Sequence, residues 1–305
     1  MIKELIKKLS ESIYRKNLVL KDSVKATDQK KVNSGKFNSL MLGRFTPDDF
    51  KPLPPGWRIG APNFIGIGTG KAGTSWWYAL MLQHPQIVQN RLGVKELHYF
   101  AHLKYHNLDD DCINTYRQAF ATPEGSICGE WSPNYLLHPL CLEHIANAAP
   151  TTKILLILRN PVDRSISAIN QQLSARLKNF NFNSEERYIY ETYSIYQIAI
   201  FHSLYAYGLR RLLKNFDRSQ ILILQYEKCK ANPYEEIART YRFLGVDDQY
   251  QPQRSERAVN RQEYVIKPWN SEQRQRLAAY FADDVRTTLE MFPEIDLSLW
   301  SDFNN

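Results

Sequence analysis

The run KILLILR, Lys153 to Arg159, sets the tightest limit on what this chain can become. A strand sends alternate side chains to opposite faces, so a strand-length run of unbroken aliphatics needs apolar cover on both. QILILQYE, from Gln220, repeats the pattern, and NFIGIG, from Asn63, is a shorter version. SICGEWSP reads as a further strand ending in a turn. Helical segments separate these runs. Gly73 to His84 has Trp77, Leu80 and Met81 at helical spacing, and HPLCLEHIANAA and PVDRSISAINQQLSARL follow. One long helix is expected over 185–215. PYEEIARTYRFLG has Pro233 at its start and Gly245 at its end, and a last helix is expected to open on a capping box at Ser271. Strands alternating with helices predict an α/β fold of three layers, a central mostly parallel sheet flanked by helices. Ligands of such sheets sit at the carboxyl ends of the strands.

Length and composition bound the rest. With 305 residues, 43% apolar and 23% charged, the chain can bury one sizeable core. No apolar run reaches the ~20 residues of a membrane-spanning helix, and no secretory leader is seen, which predicts a soluble, cytoplasmic protein. The four cysteines, Cys112, Cys128, Cys141 and Cys229, lack metal-ligand spacing and read as reduced thiols; no metal is expected. The net charge of +7 favours anionic partners. Residues 1–45 read as a basic extension, partly helical or flexible. Ile2, Leu5, Ile6, Leu9 and Ile13 share one helical face there, suited to docking on the domain or to peripheral membrane contact through residues 1–16. A Pro-rich lead-in covers 46–62, and 63–305 reads as a single domain.

The stretch GTGKAGTS follows the first apolar strand. Gly68 and Gly73 keep the spacing of a nucleoside-triphosphate loop, G-x-x-x-x-G-K-[ST], so the sheet is P-loop-like. The lysine is displaced: Thr74 stands where it belongs, and Lys71 lies inside the loop. A lysine there meets a shorter anion than a triphosphate. Neither aliphatic run ends in the aspartate that helps hold Mg²⁺. An ATP-dependent kinase therefore fits poorly. A non-enzymatic nucleic-acid binder would need a basic stripe or a reader motif, but the basic residues are spread across helices.

The pattern K-x-G-T-[ST]-W, filled by Lys71, Gly73, Thr74, Ser75 and Trp76, resembles the 5′-phosphosulfate loop of sulfotransferases that use 3′-phosphoadenosine 5′-phosphosulfate (PAPS). The resemblance implies that Gly70, Lys71, Ala72, Gly73, Thr74 and Ser75 surround the 5′-phosphate. Lys71 would sit at the bridging oxygen. Trp76 would pack on adenine, with Trp77 as the alternative. In LLILRNPVDRSIS, Arg159 and Ser167 resemble the family's 3′-phosphate motif. Asn160 there is a good helix cap, and Arg164 shares its helical face or lies on the surface.

Sulfuryl transfer to a hydroxyl needs a base, a cation at the leaving oxygen and in-line positioning. In GVKELHYF an extended backbone puts Glu96 and His98 on one side. The segment resembles the K-E-x-H-[FY]-F motif of carbohydrate-type sulfotransferases, heparan sulfate enzymes included, which implies Glu96 as base. Lys95 and His98 would then orient it or meet the sulfate; His98 is the rival base. GEWSPNYL resembles the family's E-x-S-P-x-Y segment, implying that Glu130 and Ser132 face the cleft and, with Lys95, bind substrate. The catalytic set is thus Glu96, Lys71 and His98, with PAPS as donor, adenosine 3′,5′-bisphosphate as product, no metal, and a glycan or small-molecule acceptor. The resemblance covers 62–245. Beyond it, RSERAVNRQEYVIKPW matches neither family pattern, and Arg257, Arg261 and Lys267 are candidates to close over the donor. No Golgi-type anchor is seen, which suggests a bacterial-like soluble member or a piece that lacks its anchor.

Overall fold

The computed structural model describes residues 45–103, 108–179, 185–253 and 269–304. Its strands are β1 (Trp57–Arg58), β2 (Phe64–Gly68), β3 (Ile87–Val88), β4 (Thr122–Pro123), β5 (Ile127–Trp131), β6 (Lys153–Leu158) and β7 (Ile221–Gln225). Five of them form a parallel sheet in the order β3-β5-β2-β6-β7. Short β1 and β4 pair antiparallel to one side, which the sequence did not signal. The helices are α1 (Thr74–Met81), α2 (Tyr99–His102), α3 (Asp110–Gln118), α4 (Cys141–Ala148), α5 (Pro161–Asn179), α6 (Glu185–Phe201), α7 (Ala206–Asn215), α8 (Tyr226–Ala231), α9 (Pro233–Leu244) and α10 (Ser271–Met291).

The aliphatic runs are covered on both faces. Ile154, Leu156 and Leu158 of β6 pack in one core with Ile145 of α4, Leu212 of α7 and Phe281 of α10. Leu155 and Ile157, between them in sequence, pack in the other with Trp77 of α1 and Tyr241 of α9. Residues of β7 divide the same way, Ile221 and Ile223 against Leu222 and Leu224. β2 lies at the centre, and Gly66 in it has no room for a side chain: a Cβ would lie 2.1 Å from the Trp131 ring. Because all five strands run parallel, the loops after Gly68, Trp131, Leu158 and Gln225 open on one edge.

The helix expected over 185–215 is broken. α6 stops at Phe201 and α7 starts at Ala206. The buried Arg164 guanidinium donates to the Ala199 carbonyl at 2.8 Å and to Ser203 Oγ at 3.1 Å, and Ser203 N turns to Ile200 O. Asp284 of α10 then accepts from the N–H groups of Tyr205 (2.7 Å) and Ala206 (3.0 Å), capping the new helix from outside. The capping box of α10 also moves: Asn270, not Ser271, is the cap and exchanges bonds with Gln273. α1 ends at Met81, short of His84. Asn160 does cap α5, accepting from Val162 N at 3.0 Å. All four cysteines are free. Among the described residues no helix is long and apolar enough to cross a membrane. The extension before residue 45 lies outside the described residues, as do Arg257, Arg261 and Lys267.

Removing an N-terminal capping side chain costs roughly 0.5–2 kcal/mol. Asp284→Ala should lower unfolding stability by about that much, read as a shift of the urea midpoint at unchanged slope.

Candidate active site

The edge where the strands end carries three clusters. The first is the loop after β2. Thr69 extends the pairing to β6, its N and Oγ1 both donating to Ile157 O. The chain then turns through Lys71 at φ 71° and Gly73 at φ 82°. Left-handed backbone at a lysine costs about 1–2 kcal/mol, so the surroundings must hold it. Arg159 donates to Lys71 O at 3.0 Å, and Arg164 to Gly70 O at 2.9 Å. A Cβ at Gly73 would come within 2.9 Å of the Tyr226 ring. Burial, reinforced by Arg159 and Arg164, holds the Lys71 ammonium below its usual pKa. Three cationic groups converge here, and an anion would relieve their repulsion.

The second cluster is Arg159 itself, just past the end of β6. Its guanidinium lies over the Tyr226 ring at 4.8 Å, and its buried Nε has no hydrogen-bond partner among the described residues. A buried unsatisfied donor is uncommon and costly. It marks capacity for an acceptor. Ser167, assigned with Arg159, is half-buried on α5. Arg164 is not a surface residue; it is 4% exposed and serves as the loop's brace.

The third cluster is Lys95, Glu96 and His98. Lys95 Nζ donates to Thr74 Oγ1 (3.1 Å), Ser75 Oγ (3.1 Å) and Glu96 Oε1 (2.9 Å). An ammonium has three protons and accepts nothing. Lys95 is therefore fully engaged here, its bond to Glu96 matching the orienting one of its two expected roles, and the two hydroxyls are left to donate elsewhere. His98 Nε2 lies 3.2 Å from Glu96 Oε2. Glu96 is the most open of the three, with 30% side-chain exposure against 16% for both neighbours. Burial works to raise its pKa, but the His98 hydrogen bond and the Lys95 charge outweigh it and hold the carboxylate below its ordinary 4.5.

Glu130 and Ser132 do not face a cleft. Both are fully buried. Glu130 Oε1 accepts from Tyr116 (2.7 Å) and Tyr135 (3.1 Å); Oε2 accepts from Leu97 N (3.1 Å) and Ser132 (2.6 Å). Ser132 Oγ accepts from His98 N at 2.9 Å, and Trp131 N donates to Lys95 O. The pair thus grips the backbone of the Glu96 segment from beneath. Sequence spacing brought Glu130 near the site, but its four donors come from positions scattered over 97–135. Trp77 is the core tryptophan, 0% exposed and bonded to Thr240, while Trp76 is only partly buried beside Gly73. Tyr226 was overlooked; its place immediately after a buried parallel strand was the available signal.

A family description, "Sulfotransferase domain", matches residues 62–267. Mouse bifunctional heparan sulfate N-deacetylase/N-sulfotransferase 4 is 29% identical over 210 residues, 62% of this chain and 23% of that protein. Mouse heparan sulfate glucosamine 3-O-sulfotransferase 3A1 is 30% identical over 192 residues, 61% of this chain and 46% of its own. The chain thus spans less than half the length of either. The crystal structure of a sulfotransferase from Alicyclobacillus acidocaldarius superposes with a TM-score of 0.63 at 27% identity, covering 80% of this chain and all of that one. These matches support neither the kinase nor the nucleic-acid binder.

Two outcomes are expected. Glu130→Gln turns an amide N–H₂ onto a set of donors and should cost about 2–3 kcal/mol in denaturant unfolding. Glu96, with its folded pKa depressed, contributes stability that is complete above about pH 4.5 and lost as pH falls through the folded value. The difference in urea midpoint between wild type and Glu96→Gln should therefore be constant above that pH and shrink as the solution is acidified below it.

Proposed function

The chain belongs to the sulfotransferase family, and on that premise we propose that it moves the sulfuryl group of PAPS to an acceptor hydroxyl, in line, with Glu96 as base. The observation that carries this is the convergence of Lys71, Glu96 and Arg159 on one edge of the sheet, joined through Lys71 O and Lys95. The residues suit the donor. Lys71, crowded by two other cations, gains from a 5′-phosphosulfate, and Arg159 holds a buried donor free for the 3′-phosphate. Thr74 and Ser75, accepting from Lys95, direct their own protons to the 5′ anion, and Trp76 offers a ring to adenine.

In the reaction the acceptor oxygen bonds to sulfur as its proton passes to the Glu96 carboxylate. The bond from sulfur to the bridging oxygen breaks, and adenosine 3′,5′-bisphosphate leaves with the electron pair. Lys71 opposes the charge that grows on that oxygen. The greater exposure of Glu96 favours it over His98 as base. His98 and Lys95 fix its rotamer. With Lys71 opposing the charge on the leaving oxygen, the transfer needs no metal, which is part of the proposal. So is a carbohydrate acceptor, supported by the heparan sulfate sulfotransferases among the relatives. A single domain over 63–305 is supported by the packing of Phe281 and Trp300 into the core of β2. A cytoplasmic location is supported by the four free thiols.

Labelled sulfate transfer from PAPS to a panel of sugars, lipids and phenols, run with chelator, tests donor, acceptor class and metal independence together. Glu96→Gln and Lys71→Ala should each lower kcat roughly 10²–10³-fold with the fold retained. Arg159→Ala should act mainly on the KM for PAPS. Full turnover by Glu96→Gln would remove Glu96 as base, and MgATP binding without PAPS binding would remove the donor.

A further inference from the structure

The last described stretch of the chain, 269–304, lies beyond the family match, which ends at residue 267. Nothing in the sequence patterns assigned it a role. In the structure it runs behind the Arg159 cluster. Two of its side chains end on the two residues that frame that arginine.

Trp300, 0% exposed, donates from Nε1 to Glu227 Oε2 at 3.1 Å. The other oxygen, Glu227 Oε1, accepts from Asn160 N at 2.9 Å. Glu227 follows Tyr226, whose ring lies under the Arg159 guanidinium. Asn160 follows Arg159. One carboxylate therefore clips the residue after the arginine to the residue after its aromatic platform, and Trp300 fixes that carboxylate. Burial raises the Glu227 pKa, while its N–H donors, Asn160 first, pull the other way.

Asp302 works on the same turn from a second direction. Its Oδ2 accepts from Asn160 Nδ2 at 2.8 Å. That contact orients the amide so that Asn160 Oδ1 caps Val162 N. Arg274 of α10 holds Asp302 by two bonds, at 2.9 and 2.6 Å, and reaches Asp163 in the first turn of α5 at 2.7 Å. The Arg159 carbonyl is itself fixed by Tyr205 Oη at 2.7 Å. The backbone at 159–160 is thus set by Tyr205 and Glu227 from outside and by Arg164 N within α5, while the C-terminal stretch holds the Asn160 side chain and the Glu227 carboxylate.

We propose that Trp300 and Asp302 are positioning residues for the nucleotide donor, setting Arg159 on Tyr226 through Glu227 and Asn160 so that its free Nε meets the 3′-phosphate. This rests on the reading of Arg159 as the 3′-phosphate residue. The tail acts through other side chains and need not touch the nucleotide.

The test is calorimetry of the full chain with adenosine 3′,5′-bisphosphate, for wild type, Asp302→Ala, Arg159→Ala and the double variant, with thermal melts confirming folding. Loss of one charge-assisted anchor should weaken binding by Asp302→Ala about tenfold. In the Arg159→Ala background the same substitution should add less than about twofold, since its effect passes through that arginine. At saturating PAPS, kcat of Asp302→Ala should stay near wild type while KM for PAPS rises. Asp302→Asn, which keeps an acceptor for Asn160 but turns its amide N–H₂ toward Arg274, should recover part of the affinity; Trp300→Phe, which removes only the donor to Glu227, should also weaken binding through Arg159 and stands in if the alanine variant fails to fold. If Arg159→Ala weakens binding and a folded Asp302→Ala does not, the tail's role is overturned alone. If Arg159→Ala binds as wild type does, the 3′-phosphate reading falls and the inference with it. An equal loss from Asp302→Ala with and without Arg159 would show general loosening and also overturn it.

Discussion

Burial of β6 and β7 on both faces is the constraint from which the rest follows. Aliphatic side chains alternate into two separate cores, one against α4, α7 and α10 and the other against α1 and α9. At ~25 cal/mol per Å², no arrangement that wets either face competes. Helices on both sides demand crossover connections, and crossovers make the strands parallel. Parallel strands bring their carboxyl ends to one edge. Residues as distant as Gly73 and Tyr226 are neighbours for that reason.

The edge has two electrostatic characters. Around Lys71, Arg159 and Arg164, cation crowds cation, and the nearest bonded partners are backbone carbonyls and an aromatic face. That region is built for a ligand that brings negative charge. Around Glu96 the carboxylate is already partnered, by the Lys95 ammonium on one oxygen and the His98 ring on the other. The two regions are joined by Lys95, which holds Thr74 and Ser75 with one side of its ammonium and the carboxylate with the other.

Much of this was legible in the chain. The parallel sheet followed from unbroken aliphatic runs, and the loop from glycine spacing with a displaced lysine. Glu96 and His98 do meet, but not by the alternation of an extended strand: His98 turns through a left-handed φ of 51° ahead of α2. The errors share a cause. The motif of Glu130 and Ser132 lies at the site, which predicts that they face the cleft, but a motif does not say which way a side chain turns. Tyr116 and Tyr135 claim Glu130. The long helix failed for a similar reason. Its apolar pattern continues through 202–205, and only Arg164 and Asp284, far away in sequence, interrupt it.

Arg164 also bears on the order in which the molecule assembles. Its guanidinium ties Gly70, 94 positions earlier, to Ala199, 35 positions later. Closing loops of that length is slow compared with forming local turns. A nascent chain that has released only the first strand and its glycines holds the right letters without the shape. The glycine loop, where we place the nucleotide, gains its Arg164 brace only after the polypeptide has passed residue 203 and docked it, so binding there would report on a chain folded well past its middle.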